Sequence, residues 1–437
     1  MMQQLFSEFK PNTAAEWKAR IIKDLKGEAF ESLVWKNENG IDILPFYTPE
    51  DLTEQYQPAF THADWEICVN ANRNDQKELN IQLLRQLNNG ATAIALNCEG
   101  LDPAVALRDV ALNFIKSTFY AAPGELPALD AWLAKQHDLS RLECCLFPLK
   151  LESEKDLEQW LQATEKYKTL QNVKTACFDA LSFHNLNCHA YYEVAVILSG
   201  LNEFLNKFSE KNSMPVAPFV VKTGVSSDYF IQIAKLRAIR RLWNTLKAEY
   251  GISNELYVIV ETSLTNKTIS DSYNNLLRTT IESMAAVSGG CNELLVTAFD
   301  ALFPVNQSLS ERMAVNQQLI LKEESYLDKM ADIACGSYYI ESITDAIASK
   351  ALETMKRFEN EGGYFKCLEK KIFSNEITLQ AADKAGLINT HKQISIGVNK
   401  FRNEKETIQI PAIQLEELKH LALNNPVLNF ELENYFK

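Results

Sequence analysis

The sequence predicts an α/β protein whose repeating units fit a closed (β/α)8 barrel better than an open, doubly wound sheet. From about residue 65 onwards, short runs rich in apolar and β-branched residues alternate with longer amphipathic segments. This alternation indicates parallel strands joined by crossover helices. About eight such units in roughly 300 residues match the size of a barrel. Counting alone does not decide between the two architectures, because both are serial βα repeats.

The first sixty residues differ from the repeating units that follow them. Residues 13–26 are predicted to form a helix that Thr13 caps and Gly27 ends. The turn-rich stretch after it contains Pro45 and Pro49 and indicates an extended arm. This region has more apolar side chains than a free arm would expose, namely Trp17, Ile21, Ile22, Trp35, Phe46 and Tyr47. We therefore predict that residues 1–60 contact another subunit.

Seven strand and helix pairs can be placed in the predicted barrel domain, residues 61–360. The predicted strands are EICVN, TAIALN, LECCLF, VKTACF, APFVVK, LYVIVET and ELLVTAF. The predicted helices occupy residues 76–89, 103–117, 153–170, 191–209 and 228–250, and two more begin near residues 274 and 310. The GSYY sequence at 336–339 is interpreted as a turn that leads into a strand.

Two of these helices show which face should be buried. The helix at 228–250 has one apolar stripe, formed by Ile231, Ala234, Ala238, Leu242 and Leu246. Lys235 and Arg240 lie off this stripe. The next helix is predicted to bury Leu277, Ile281 and Met284.

The chain changes character again after residue 360. Residues 361–437 are predicted to form a C-terminal helical extension. Within it, ISIGVNKF at 394–401 is interpreted as a strand, and the Leu-rich stretch at 413–428 as an amphipathic helix.

Composition excludes several classes of partner. The net charge of −13 disfavours nucleic acid and anionic membrane surfaces, since both are negatively charged. The N-terminus has no secretory signal pattern, and no apolar run approaches membrane-spanning length. Nine scattered cysteines without a C-x-x-C pair are typical of reduced thiols, so a cytoplasmic protein is expected.

Sequence motifs alone name no reaction. The chain contains no G-x-G-x-x-G, P-loop, G-x-S-x-G or H-E-x-x-H pattern. His184 and His189 are five residues apart, which would place them on different faces of a helix, so they make a poor metal pair. No catalytic, cofactor-binding or metal-binding residue is predicted from these patterns.

Several longer segments resemble the methylmalonyl-CoA mutase family. They are GIDILPFYTPEDL at 40–52, IAKLRAIRRLW at 233–243, YNNLLRTTIESMAAVSGG at 273–290, QQLILKEES at 317–325, GSYYIESITDAIASKA at 336–351 and IGVNKF at 396–401. They occur in the family's order and span most of the chain. The resemblance implies a TIM-type (β/α)8 barrel.

The resemblance also shows where this chain departs from active members. In those, the strand after the long helix runs into R-T-H-C-Q, whose histidine polarises the thioester carbonyl. Glu261 stands here where the arginine is expected, and Ser263 where the histidine is. The next strand should lead into H-T-N, but the sequence from Leu295 to Thr297 is Leu-Val-Thr, and Val315 replaces a further arginine. These five positions are predicted to be a degenerate barrel mouth, where TIM barrels carry catalysis.

Active members use adenosylcobalamin to isomerise acyl-CoA esters by a radical route. Their cobalamin-binding motif, D-x-H-x-x-G, does not occur in this sequence. The resemblance therefore implies a small subunit that binds no cofactor and is inactive alone. Its expected partner is a catalytic large subunit that carries adenosylcobalamin in a heterodimer. The alternative is an independent barrel enzyme or acyl-CoA-binding protein in which Glu261 and Ser263 serve a new site.

Overall fold

The computed structural model describes residues 8–10, 12–52, 57–71, 75–136, 141–303, 307–405, 410–423 and 425–435. Parts of the predicted arm, residues 1–7 and 53–56, lie outside this set. The division into an arm, a barrel and an extension at residues 60 and 360 remains a prediction.

Parallel strands form a nearly closed barrel, as predicted. A short antiparallel hairpin, β1 (Trp35–Lys36) and β2 (Asp42–Ile43), precedes it. The barrel strands are β3 (Glu66–Asn70), β4 (Ala93–Asn97), β5 (Lys116–Ala121), β6 (Cys144–Pro148), β7 (Val173–Lys174), β8 (Cys177–Asp179), β9 (Phe219–Val225), β10 (Leu256–Thr262) and β11 (Glu293–Leu295).

The barrel closes through one interrupted strand. β7 pairs with β6, while β8, only a few residues later, pairs with β9. On the opposite side β11 pairs with both β10 and β3. The segment 173–179 thus serves as the fifth strand of an eight-stranded barrel.

Helices surround this barrel and cover its outer surface. Their bounds are α1 (Ala14–Asp24), α2 (Gln76–Asn88), α3 (Pro103–Ala106), α4 (Leu126–Gln136), α5 (Glu154–Thr164), α6 (Leu181–Asn185), α7 (Ala190–Glu210), α8 (Tyr229–Glu249), α9 (Tyr273–Ser288), α10 (Gln307–Leu319), α11 (Tyr338–Asn360), α12 (Gly363–Glu369), α13 (Ile372–Asn389), α14 (Ala412–Ala422) and α15 (Pro426–Asn434). None of the helices in the described part of the chain is both long and apolar enough to cross a bilayer.

Three local predictions were wrong. The helix expected at 103–117 stops at Ala106, because Asp109 adopts a φ of 61°, and β5 and α4 follow as a unit that the sequence reading missed. Residues 338–360 form α11 instead of a strand, with an apolar stripe that includes Ile343 and Ile347 in the core. Residues 394–401 form a loop with a single bridge between Ile396 and Lys400.

Burial on α8 and α9 also differs from the predicted faces. The apolar stripe of α8 is buried as expected, yet Lys235 and Arg240 are buried too. Lys235 is accommodated because its ammonium group lies 2.8 Å from the carboxylate of Glu193. On α9, Leu277 and Ile281 are exposed, while the polar side of the helix faces the barrel.

Candidate functional site

A cavity of about 260 Å³ lies at the carboxyl ends of β3, β10 and β11. It is lined by residues from these strands, from α2 and α10, and from the segment between β11 and α10. This is the end of a (β/α)8 barrel at which enzymes of this architecture place their active sites.

Four of the five predicted mouth positions line this cavity, namely Glu261, Leu295, Thr297 and Val315. Ser263 does not. It is fully buried in the loop after β10, where its hydroxyl lies 2.8 Å from that of Thr265 and accepts a 3.0 Å hydrogen bond from the Thr265 amide. The Thr297 hydroxyl donates to the carbonyl of Thr262 at 2.9 Å. Two hydroxyl groups are thus committed to holding the β10 and β11 loops.

Glu261 forms an ion pair inside the barrel. Its carboxylate lies 2.9 Å from the ammonium group of Lys222 on the adjacent strand β9, and the two side chains are 15% and 9% exposed. Lys222 also lies over the ring of Tyr120, 5.3 Å from its centroid. Burial lowers the pKa of Lys222, but Glu261, Tyr120 and Asp179 outweigh this and raise it well above the ordinary value. Lys222 therefore stays charged and neutralises Glu261.

The cavity wall carries negative charge. Glu261, Asp300 and Glu311 line it, and no lysine, arginine or histidine is among its described lining residues. Glu311 also accepts a hydrogen bond from Gln82 at 2.7 Å and pairs with Arg85. Phosphate groups are bound by cationic side chains and backbone amides, and pockets for organic ligands are commonly about 300–1,000 Å³ in volume. The cavity therefore fits the diphosphate of a CoA ester poorly.

Below the mouth the barrel interior is filled by side chains. Aromatic, aliphatic and thiol groups pack there, namely Tyr120, Cys145, Phe147, Cys177, Val220, Tyr257 and Ile259. Glu293 at the start of β11 is buried as well, and burial raises its pKa to about 7. Sequence reasoning missed Lys222, Tyr120 and Glu293. The signal was a charged residue inside or beside an apolar strand, as in FVVKTGV and ELLV.

The described residues do not assemble a metal or cofactor anchor. No group of three or more histidine, cysteine, aspartate or glutamate side chains in the described ranges could hold a metal ion. His184 is buried with its Nδ1 3.0 Å from Glu193. His62 lies 3.2 Å from the carbonyl oxygen of Gly290. No histidine lines the mouth cavity among its described residues, so nothing there matches a nitrogen ligand for cobalt.

Comparison with known proteins gives one consistent result. A family model described as methylmalonyl-CoA mutase matches residues 149–425. The chain is 29% identical over 446 residues to the methylmalonyl-CoA mutase small subunit of Porphyromonas gingivalis, covering 92% of this chain and 72% of that protein.

Two further relatives carry the mutase name. The chain is 26% identical over 497 residues to the mitochondrial methylmalonyl-CoA mutase of Bos taurus, covering 96% of this chain and 66% of that protein. It is 36% identical over 187 residues to the methylmalonyl-CoA mutase of Escherichia coli, covering 42% of this chain and 26% of that protein. The chain thus spans about two thirds of the bovine protein and about a quarter of the bacterial one in these alignments.

Proposed function

Because this chain belongs to the methylmalonyl-CoA mutase family, we propose that it is the small, non-catalytic subunit of a heteromeric mutase. In this proposal a catalytic large subunit binds adenosylcobalamin and the CoA ester. The complex interconverts methylmalonyl-CoA and succinyl-CoA in the cytoplasm. This chain binds no cofactor, and it stabilises or orients the large subunit.

The observation that carries the proposal is the position of Ser263. The resemblance places it where active members have the histidine that polarises the thioester carbonyl. In this chain its hydroxyl is buried, bonded to Thr265 and outside the mouth cavity. A missing general acid or hydrogen-bond donor of this kind costs on the order of 10²–10⁴ in rate.

The charges at the mouth support the same conclusion. Glu261 takes the place of an expected arginine and is neutralised by Lys222, so it offers a CoA ester no cation. Glu311 and Asp300 add carboxylates to the same cavity. A CoA ester would meet repulsion at the entrance and aromatic side chains below it.

Two measurements test the proposal. The first is gentle purification of the chain from its native cytosol, with mass spectrometry of any stoichiometric partner. We expect a partner that carries both R-T-H-C-Q and D-x-H-x-x-G, and mutase activity only when that partner and adenosylcobalamin are present. Recovery of the chain as a monomer or homodimer would contradict the subunit assignment.

The second measurement separates this proposal from an independent acyl-CoA-binding barrel. The purified chain alone is titrated with methylmalonyl-CoA and, separately, with adenosylcobalamin. We expect no saturable binding of either in the micromolar range. Micromolar binding of the CoA ester, or turnover by the chain alone, would favour the independent barrel.

A further inference from the structure

A second cavity, here called the α9 groove, lies on the outer side of the loops that follow β9 and β10. Its volume is about 780 Å³. It is bounded by the arm at 35–38, by α9, by the end of α13 and by the loop at 392–396. The groove shares no lining residue with the mouth cavity among those described.

Large apolar side chains form much of the groove wall and remain exposed. Leu277 and Ile281 are 63% and 41% exposed, and Trp35 is 53% exposed. Ile394 and Ile396 on the facing loop are 44% and 47% exposed. Contiguous exposed apolar surface of this kind marks binding sites on proteins.

The apolar stripe continues along α9 beyond the groove. Tyr273, which precedes Leu277 by one helical turn, is 66% exposed and does not line the cavity. Tyr273, Leu277 and Ile281 are spaced four residues apart, so the stripe runs roughly 12 Å along the helix. Such a length suits an elongated segment better than a compact small molecule.

Polar contacts on the opposite face hold α9 in this orientation. The Glu282 carboxylate lies 2.8 Å from the ammonium group of Lys267, and both side chains are buried. The side chain of Asn275 accepts from the Thr268 amide at 3.0 Å and donates to the Phe299 carbonyl at 2.9 Å. Turning Leu277 inward would break these contacts and leave a buried charge without its partner, which is costly. The outward stripe is therefore a fixed feature of the fold.

The groove is basic on an otherwise acidic chain. Four basic residues line it, Lys36, Arg278, Lys384 and Lys392, against two acidic residues, Glu38 and Asp228. Burial raises the pKa of Asp228 to about 6, which weakens its negative charge near neutral pH. No ion pair joins Lys36 or Lys392 to any residue in the described part of the chain. The whole chain carries a net charge of −13, so this local excess of positive charge is directed against the general field.

We propose that the α9 groove and Tyr273 dock an acidic amphipathic segment of the large subunit. The apolar residues of that segment would pack on Leu277, Ile281 and Trp35, and its carboxylates would pair with Lys36 and Lys392. The charge complementarity and the length of the stripe support this occupant, which corresponds to recognition of an amphipathic helix in an apolar groove. This inference rests on the proposed function as a small subunit.

The test measures the affinity of the purified full-length chain for its purified large subunit. Leu277→Asp and Lys392→Glu are compared with a control pair on α2, Ile81→Asp and Lys77→Glu. Ile81 is 64% exposed, like Leu277, and Lys77 is also exposed. We expect Leu277→Asp to raise Kd on the order of tenfold or more, as for a truncated interface anchor. Lys392→Glu should raise Kd less and reduce its dependence on salt, and the control pair should bind like the wild type.

Each other outcome overturns a defined statement. Wild-type affinity in both groove variants, with unchanged circular dichroism and Tm, would place the contact elsewhere while the small-subunit assignment stood. Wild-type chain that does not bind the large subunit would instead overturn the proposed function. Self-association that Leu277→Asp abolishes would make a second copy the occupant. Saturable binding of free CoA or ATP that Lys392→Glu abolishes, with unchanged affinity for the large subunit, would make the groove a small-molecule site.

Discussion

The ammonium group of Lys222 lies 2.9 Å from the carboxylate of Glu261, across the pair of strands β9 and β10. Neither residue has another strong countercharge at this distance among the described ion pairs. The two side chains are mostly withdrawn from water, so each depends on the other for its charge. This pair occupies the region where an active barrel of the family would meet its substrate.

The first prediction concerns this pair. Glu261→Ala should lower the free energy of unfolding by about 3 kcal/mol, because it leaves the buried charge of Lys222 without its main partner. The double variant Lys222→Met/Glu261→Leu should recover most of this loss, since apolar residues of similar volume often replace a buried pair at little cost. Urea denaturation of the three variants measures the effect. A loss of less than about 1 kcal/mol in Glu261→Ala would show that the Lys222 ammonium group reaches water.

The second prediction concerns the pH dependence of stability. Burial raises the pKa of Glu293 to about 7, from an ordinary value of 4.5. The folded chain therefore keeps this proton between pH 4.5 and 7, while the unfolded chain releases it. The contribution of Glu293 to stability is fully present below pH 4.5 and is lost as the pH rises through 7.

Glu293→Gln removes that titration. We expect it to raise the free energy of unfolding at pH 8 by on the order of 2–3 kcal/mol, with little change at pH 4.5. Urea denaturation at both pH values measures this difference. The matched control is Glu66→Gln, because Glu66 pairs in register with Glu293 on the neighbouring strand. Equal effects of Glu293→Gln at the two pH values would contradict a raised pKa for this carboxyl group.

The fold could be predicted from the sequence where periodicity was clear. The seven predicted strand runs contain β3, β4, β6, β7 with β8, β9, β10 and β11, because each is an apolar run between turn residues. β5 was missed, since KSTFYA follows a segment with helical periodicity and begins with a lysine. The closing pairs, β11 with β3 and β7 with β6, depend on contacts between distant strands and could not be deduced from local pattern.

The candidate site was predicted only in part, and for a physical reason. Glu261, Leu295, Thr297 and Val315 could be placed at the mouth through the family resemblance, and all four line one cavity. Lys222 could not be assigned to Glu261, because the pairing follows from the register of β9 against β10. The exposed stripe of α9 was predicted to be buried, since hydrophobic periodicity does not account for the polar anchors Glu282 and Asn275.

The third prediction compares two helical glycines. A Cβ atom on Gly200 of α7 would lie 2.2 Å from the ring of Phe178, whereas one on Gly386 of α13 would meet nothing within 4 Å. Gly200→Ala should therefore lower the free energy of unfolding by about 1–3 kcal/mol through overpacking, despite the better helix propensity of alanine. Gly386→Ala should raise it by up to about 1 kcal/mol. Thermal or urea unfolding distinguishes them, and a stabilised Gly200→Ala would show that α7 can move away from β8.

The last prediction separates two parts of the N-terminal arm. No residue of α1 is buried, and Trp17 is 53% exposed. The following segment is part of the folded chain, since Phe30 and Ile41 are buried and the Lys350 ammonium group donates to the Asn39 carbonyl at 3.0 Å. Deletion of residues 1–60 would therefore damage the barrel itself, so its effect on a partner would be ambiguous.

Deletion of residues 1–28 avoids that difficulty, because it removes α1 and keeps Phe30 and the hairpin. We expect the free energy of unfolding to change by no more than about 0.5 kcal/mol, since only exposed surface is lost. If the arm contacts the large subunit, the same deletion should raise Kd for that subunit on the order of tenfold, because the apolar side of α1 is then absent. Trp17→Ala in the full-length chain should reproduce part of this loss. Full affinity in both variants would show that α1 lies outside the subunit contact, and would leave the surface around α9 as the place to look for it.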